Sequence, residues 1–98
     1  MKIKVYYNKN LKMSPEKLAS QVGHVCKKAG WIQEAELLGA MDDYDTIIVL
    51  GLRQNKFNEK LEEIKKKVNH NYYFIQEDLG FTEVEKGTIT AFGYIDEN

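Results

Sequence analysis

A chain of 98 residues, 43% of them hydrophobic and 30% charged, is expected to form one small domain, because folding at this length buries roughly 60–65% of the unfolded surface and leaves no material for a second core. Six Tyr, four Phe and one Trp against a single Pro exclude a disordered or loop-rich chain. Fourteen basic and fifteen acidic side chains give a net charge of −1, and the lone cysteine, Cys26, excludes an internal disulfide.

The near-zero total hides a segregation along the chain. Residues 1–30 carry seven Lys and one Glu, residues 31–52 five acids and no base, residues 53–68 six bases and three acids, and residues 69–98 one base and six acids. A basic N-terminal third suits phosphate binding, and equally a solvated lysine face. Without Cys or His partners at ligand spacing no metal site is expected. Residues 1–7 alternate polar and apolar where a signal peptide would be continuously apolar, and the longest apolar run, around Ile47 to Leu50, is far short of a membrane span. The expectation is a soluble, cytoplasmic protein that does not associate with membranes.

In chain order, Lys2 to Tyr7 reads as a strand with Ile3, Val5 and Tyr7 on its covered face. Ser14-Pro15-Glu16 starts a helix: Ser is a good N-cap, Pro at the first helical position loses nothing by lacking an N–H, and the acid meets the positive end of the dipole. This helix is predicted to run to Ala29 and stop at Gly30. Residues 31–41, with Trp31, Ile32, Ala35, Leu37 and Leu38, read as a short second helix, and Asp42-Asp43 as a turn. Thr46 to Leu50 is apolar at nearly every position, as in a strand covered on both faces. Residues 55–68 place Phe57, Leu61, Ile64 and Val68 on one face of an amphipathic helix. Tyr72 to Ile75 and Thr88 to Tyr94 complete the strands, joined by a loop holding Gly80 and Gly87.

Two successive strand–helix–strand units predict an α/β domain: a four-stranded mixed sheet with strands 1–3 parallel and strand 4 antiparallel, flanked by helices. Ligands of open α/β sheets bind beyond the carboxyl ends of the parallel strands. The first turns of the first helix, with Lys17 and Gln21, fall on that side. So do Glu77 and Asp78 at the end of strand 3, Thr82 in the following loop, and Thr88 and Thr90 at the start of strand 4. At 100° per residue Lys17, Gln21, His24 and Lys28 share about 60° of helical arc, a polar stripe beside the apolar Leu18, Val22, Val25, Cys26 and Ala29. Such a stripe is equally what any amphipathic helix presents to solvent.

These residues carry a resemblance. Asn10-Leu-Lys-Met-Ser-Pro-Glu-Lys-Leu-Ala-Ser-Gln-Val-Gly-His24 is similar to the D-L-x-M-x-x-G-K-x-A-A-Q-x-x-H-A signature of the archaeal/eukaryotic-type (type 2) peptidyl-tRNA hydrolases. Asp78-Leu-Gly-Phe-Thr-Glu-Val-Glu-Lys-Gly-Thr-Ile-Thr90 is similar to their D-A-G-x-T-x-x-x-P-G-T-x-T block. Order and separation fit, so the resemblance spans nearly the whole chain. Asn10 stands where the family has Asp, Ser14 and Glu16 where Gly is common, Ser20 for Ala, Phe81 where Arg is frequent, and Lys86 for Pro.

The resemblance implies hydrolysis of the ester between peptide and tRNA without cofactor or metal, and homodimers. It places functional positions on Lys17, Gln21, His24, Asp78, Thr82 and Thr90. Ester hydrolysis needs an oriented water, an oxyanion stabiliser and a grip on phosphate. Asp78 suits the water, Lys17 the developing charge, Gln21 and Thr82 the positioning of carbonyl or ribose, and Thr90 a supporting contact to Asp78. His24, Lys28 and Lys12 suit substrate binding. Cys26, about 160° around the helix from His24, suits packing and not nucleophilic attack. A catalytically impaired relative that binds tRNA or another partner through the same fold is the alternative reading.

Overall fold

Alternation along β1 (Lys2–Asn8) divides its side chains between two faces, and a helix covers each. In a computed structural model, which describes residues 2–35, 46–78, 80 and 84–96, β1 is followed by α1 (Pro15–Ala35), β2 (Thr46–Leu52), α2 (Gln54–Lys67), a 3-10 turn (His70–Tyr72), β3 (Tyr73–Glu77) and β4 (Ile89–Asp96). The strands form one open sheet in the order β2-β1-β4-β3.

On one face Ile3 and Val5 of β1, Ala91 and Ile95 of β4 and Phe74 of β3 pack under Val25 and Ala29 of α1. On the other, Tyr6 and Phe92 pack under Phe57, Leu61 and Ile64 of α2, with Phe92 stacked on Tyr6 and edge-on to Phe57 at centroid separations of 5.3 and 5.0 Å. Gly93 allows α1 its close approach: a Cβ there would stand 2.6 Å from Val25 Cγ1 and 2.8 Å from the Lys4 carbonyl oxygen.

The α/β class and the four-stranded mixed sheet agree with the sequence expectation. Strand adjacency is different. β1 pairs parallel with β2, whereas β4 inserts between β1 and β3 and runs antiparallel to both. β3 therefore points the same way as β1 and β2 without sharing a ladder with either. Pattern alone fixes direction from the crossovers but not which strand fills the middle.

Two further expectations are overturned. β2 is not covered on both faces but is an outer strand: Ile47, Val49 and Leu50 are 52%, 42% and 46% exposed, because α1 lies over β1, β4 and β3. Nor does Gly30 stop α1, which runs on to Ala35. A glycine inside a helix costs only about 1 kcal/mol relative to alanine, and the positive φ of a terminating glycine occurs among the described residues only at Gly80 and Gly87. Trp31, Ile32 and Ala35 thus belong to α1, which takes in residues 31–35 of the expected second helix. The remainder of the expected second helix and the Asp42-Asp43 turn lie outside the described residues. The start of α1 is as read: the Lys17 N–H donates to Ser14 Oγ at 3.1 Å, with Pro15 at the first helical position.

Candidate active site

The carboxyl end of β3 delivers Asp78 to the first turns of α1. Its main chain is locked on both sides, the Asp78 N–H donating to the Thr88 carbonyl at 2.9 Å and the Gly87 N–H to the Asp78 carbonyl at 2.8 Å. Gly80 and Gly87, with φ of 81° and 86°, make the turns this closure needs. The Asp78 side chain is 1% exposed and ion-paired through Oδ1 with Lys17 Nζ, whose side chain is 15% exposed. Gln21 Nε2 also donates to Oδ1, at 3.3 Å, and the Gly80 N–H donates to Oδ2 at 2.9 Å.

The hydrogen bond from Lys17 holds the Asp78 carboxyl below the usual carboxylate range. Burial opposes this, and the Gly80 N–H and the Lys17 charge add to it. Asp78 is thus a fixed anion at neutral pH and a weak base, better suited to orienting Lys17 and a water than to taking a proton. Lys17 spends one of its three ammonium protons on Asp78 and sits at the mouth of the pair, where it can meet developing negative charge.

Gln21 is 4% exposed, so it is not on the solvent side of the expected stripe. The buried line of α1 is Gln21, Val25, Ala29 and Gln33, rotated from the apolar face read from pattern. A buried amide is tolerated when both its ends are paired, and here the Thr90 hydroxyl donates to Gln21 Oε1 at 3.0 Å. Gln76 O, at 3.3 Å, is the second acceptor within reach of the same proton.

Thr90 reaches α1 through a β-bulge. Gln76 pairs with Ala91 and Glu77 with Ile89, leaving Thr90 as the extra residue. Ile89 packs with the α2 cluster and Ala91 with the α1 cluster, so simple alternation breaks here and Thr90 turns toward Gln21. Thr90 is 0% exposed and touches Gln21, not Asp78. The support expected of Thr90 for Asp78 thus runs through the Gln21 amide.

Of the other sequence candidates, His24 and Lys12 are exposed, His24 one turn along α1 from Gln21. Lys28 is exposed as well, yet its Nζ donates to the Ile75 carbonyl at 3.1 Å and to Gln76 Oε1 at 2.9 Å, on the edge of β3. Thr82 lies outside the described residues. Burial pushes the Cys26 thiol up, which suits a packing role. Among the described residues no three His, Cys, Asp or Glu side chains gather as a metal site would require.

A polar cluster that sequence reading missed lies at the end of β1. Asn10 Oδ1 accepts from the Gln54 N–H at 2.6 Å, Asn8 Nδ2 donates to Gln54 Oε1 at 2.7 Å, and the Asn10 N–H donates to Asn8 Oδ1 at 2.9 Å. It ties the loop before α1 to the start of α2, whose N-cap Arg53 makes no side-chain cap. Asn10 was visible only as the changed first letter of a signature.

With Lys17, Gln21 and Asp78 brought together from the two signature blocks, comparison with known proteins is decisive. A family model for the peptidyl-tRNA hydrolase PTH2 family matches residues 1–95. The chain belongs to the PTH2 peptidyl-tRNA hydrolase family. A search of curated proteins found no match. Among the described residues of this PTH2 family member no helix is long and apolar enough to cross a membrane.

Proposed function

We propose that this chain is a single-domain cytoplasmic peptidyl-tRNA hydrolase that cleaves the ester between a peptide and the 3′ ribose of tRNA, releasing tRNA for reuse. The observation that carries this reading is the buried Lys17–Asp78 pair, held from behind by Gln21 and Thr90 at the start of α1. A water held near Asp78 Oδ2, which has a lone pair beyond the Gly80 contact, adds to the ester carbonyl carbon. Negative charge gathers on the carbonyl oxygen, and the unspent Lys17 protons stabilise it. The carbon–oxygen bond to the ribose then breaks, the ribose oxygen leaving with a proton that originates in the attacking water. Asp78 keeps Lys17 aimed throughout. Thr82, with His24, Lys12 and Lys28, is assigned to the substrate side.

The test is release of free tRNA from N-blocked aminoacyl-tRNA by the purified protein. Lys17→Ala and Asp78→Asn should each lower the rate by roughly two to four orders of magnitude. Wild-type protein that binds tRNA without releasing it would favour the binding-only relative.

The homodimer belongs to the same proposal, with the outer edge of β2 as the contact. That strand, Thr-Ile-Ile-Val-Leu-Gly-Leu, carries none of the charges that normally guard a free edge, and among the described residues no strand pairs with its side away from β1. Val49→Lys should yield a monomer by light scattering; an unchanged mass would remove β2 from the interface.

A further inference from the structure

Trp31 is 72% exposed, whereas the large aromatic side chains Phe57 and Phe92 are almost fully buried. Because α1 does not stop at Gly30, Trp31 shares one rigid helix with Lys17. At 100° per residue it continues the line of Lys17, His24 and Lys28, the four positions falling within about 60° of arc. Lys27 and Lys28 lie one turn before it, on the side toward the Lys17–Asp78 pair. The basic run ends there, since the next exposed charge along the helix is Glu34. Lys28 is fixed by its contacts to Ile75 and Gln76, so the positive charge beside Trp31 has a defined place.

We propose that Trp31 is a stacking platform for an unpaired base near the 3′ end of the tRNA, with Lys27 and Lys28 on the adjoining phosphates. The proposal rests on the peptidyl-tRNA reading and deepens it by giving the nucleic acid a path: terminal ribose at Lys17 and Asp78, strand along α1, base on Trp31. Fourteen residues of helix separate Lys17 from Trp31, about 21 Å. That is the rise of about six stacked nucleotides at ~3.4 Å each, and of fewer in an extended strand, so the platform meets the terminal segment. An aromatic face stacks on any base, and lysines beside it answer the backbone charge. Tight reading of sequence is not required of it.

Trp31 is the only tryptophan in the chain, so its emission reports on the site in unaltered protein. Titration with a single-stranded RNA ending in CCA, and with deacylated tRNA, should quench this emission saturably. Trp31→Ala should weaken RNA binding, followed by fluorescence anisotropy of labelled RNA, roughly tenfold to a hundredfold, and raise KM more than it lowers kcat. Trp31→Phe should recover most of the loss, which a general structural defect would not allow. Emission indifferent to RNA, with Trp31→Ala binding RNA as wild type does, overturns the proposal and leaves the residue to a protein contact. If wild type cleaves the ester in that case, the hydrolase reading survives. Quenching and weakened Trp31→Ala binding in a protein without ester cleavage would uphold the platform and overturn the hydrolase. Wild type that neither binds RNA nor cleaves overturns both.

Discussion

The Thr90 hydroxyl donates to Gln21 Oε1 at 3.0 Å, and that one bond decides which end of the Gln21 amide faces Asp78. With the oxygen occupied, the NH2 group is turned to Asp78 Oδ1. Thr90→Val should leave the buried amide oxygen unpaired, costing about 1–3 kcal/mol of stability, and lower kcat with KM little changed. Thr90→Ser should recover both. Urea unfolding together with steady-state ester cleavage checks this, and a Thr90→Val enzyme whose rate is normal would show that Gln21 needs no aiming.

The acid side of the pH profile follows from the same cluster. Because Lys17 depresses the Asp78 pKa in the folded protein, the ionised carboxylate stabilises the fold at every pH above the unfolded value of about 3.9. That contribution is lost only as pH falls through the lower folded value. Asp78 should therefore impose no decline in kcat/KM between about pH 5 and 7. The stability gap between wild type and Asp78→Asn should be constant over that range and close below about pH 4. A tenfold fall in wild-type rate per pH unit below about pH 6 that Asp78→Asn abolishes would contradict the depressed Asp78 pKa and its ion pair with Lys17.

Lys28 is held at the outer edge of β3, and the proposed function also gives it the phosphates of the substrate. Lys28→Glu should weaken tRNA binding at low salt and reduce the log–log salt slope by about one, with little change in rate at saturating substrate. A titration at two ionic strengths decides. Unaltered affinity and slope would confine Lys28 to capping the carbonyl of Ile75.

At the start of α2, Asn10 supplies the oxygen that Arg53 does not. Asn10→Ala should cost about 1 kcal/mol, the usual worth of a helix N-terminal cap. Asn10→Asp, which restores the common letter of the signature, should add about 0.3–1 kcal/mol by placing a charge at the positive end of the dipole, since the first turn of α2 has no acid of its own. Urea midpoints for the three proteins give the order directly. An Asp variant less stable than wild type would contradict the capping role.

Much of this was legible in the residues. Ser14-Pro15 announced the start of α1, and the two signature blocks announced Lys17, Gln21 and Asp78, because capping chemistry and site chemistry are local properties of a few letters. What escaped was set by pairs of elements. The insertion of β4 between β1 and β3 depends on which strands bury most against both helices. The bulge that turns Thr90 toward Gln21 exists only in the register of β4 against β3. The burial of Gln21 depends on a partner 69 residues away. β2 read as covered on both faces because a run of Ile, Val and Leu looks the same whether or not a helix lies over it.

Gly93 carries no functional group, yet it determines how low α1 rides over the sheet: a single added carbon would collide with Val25 and with the Lys4 carbonyl. Lys17 and Gln21 hang from that helix, whereas Asp78 is anchored to the strand end. Alignment of the ammonium with the carboxylate is therefore encoded partly as an empty space in the middle of β4. A lesion at 93 would misalign that pair from beneath while every residue of the site remained in the sequence, so an inventory of signature letters would declare such a protein intact.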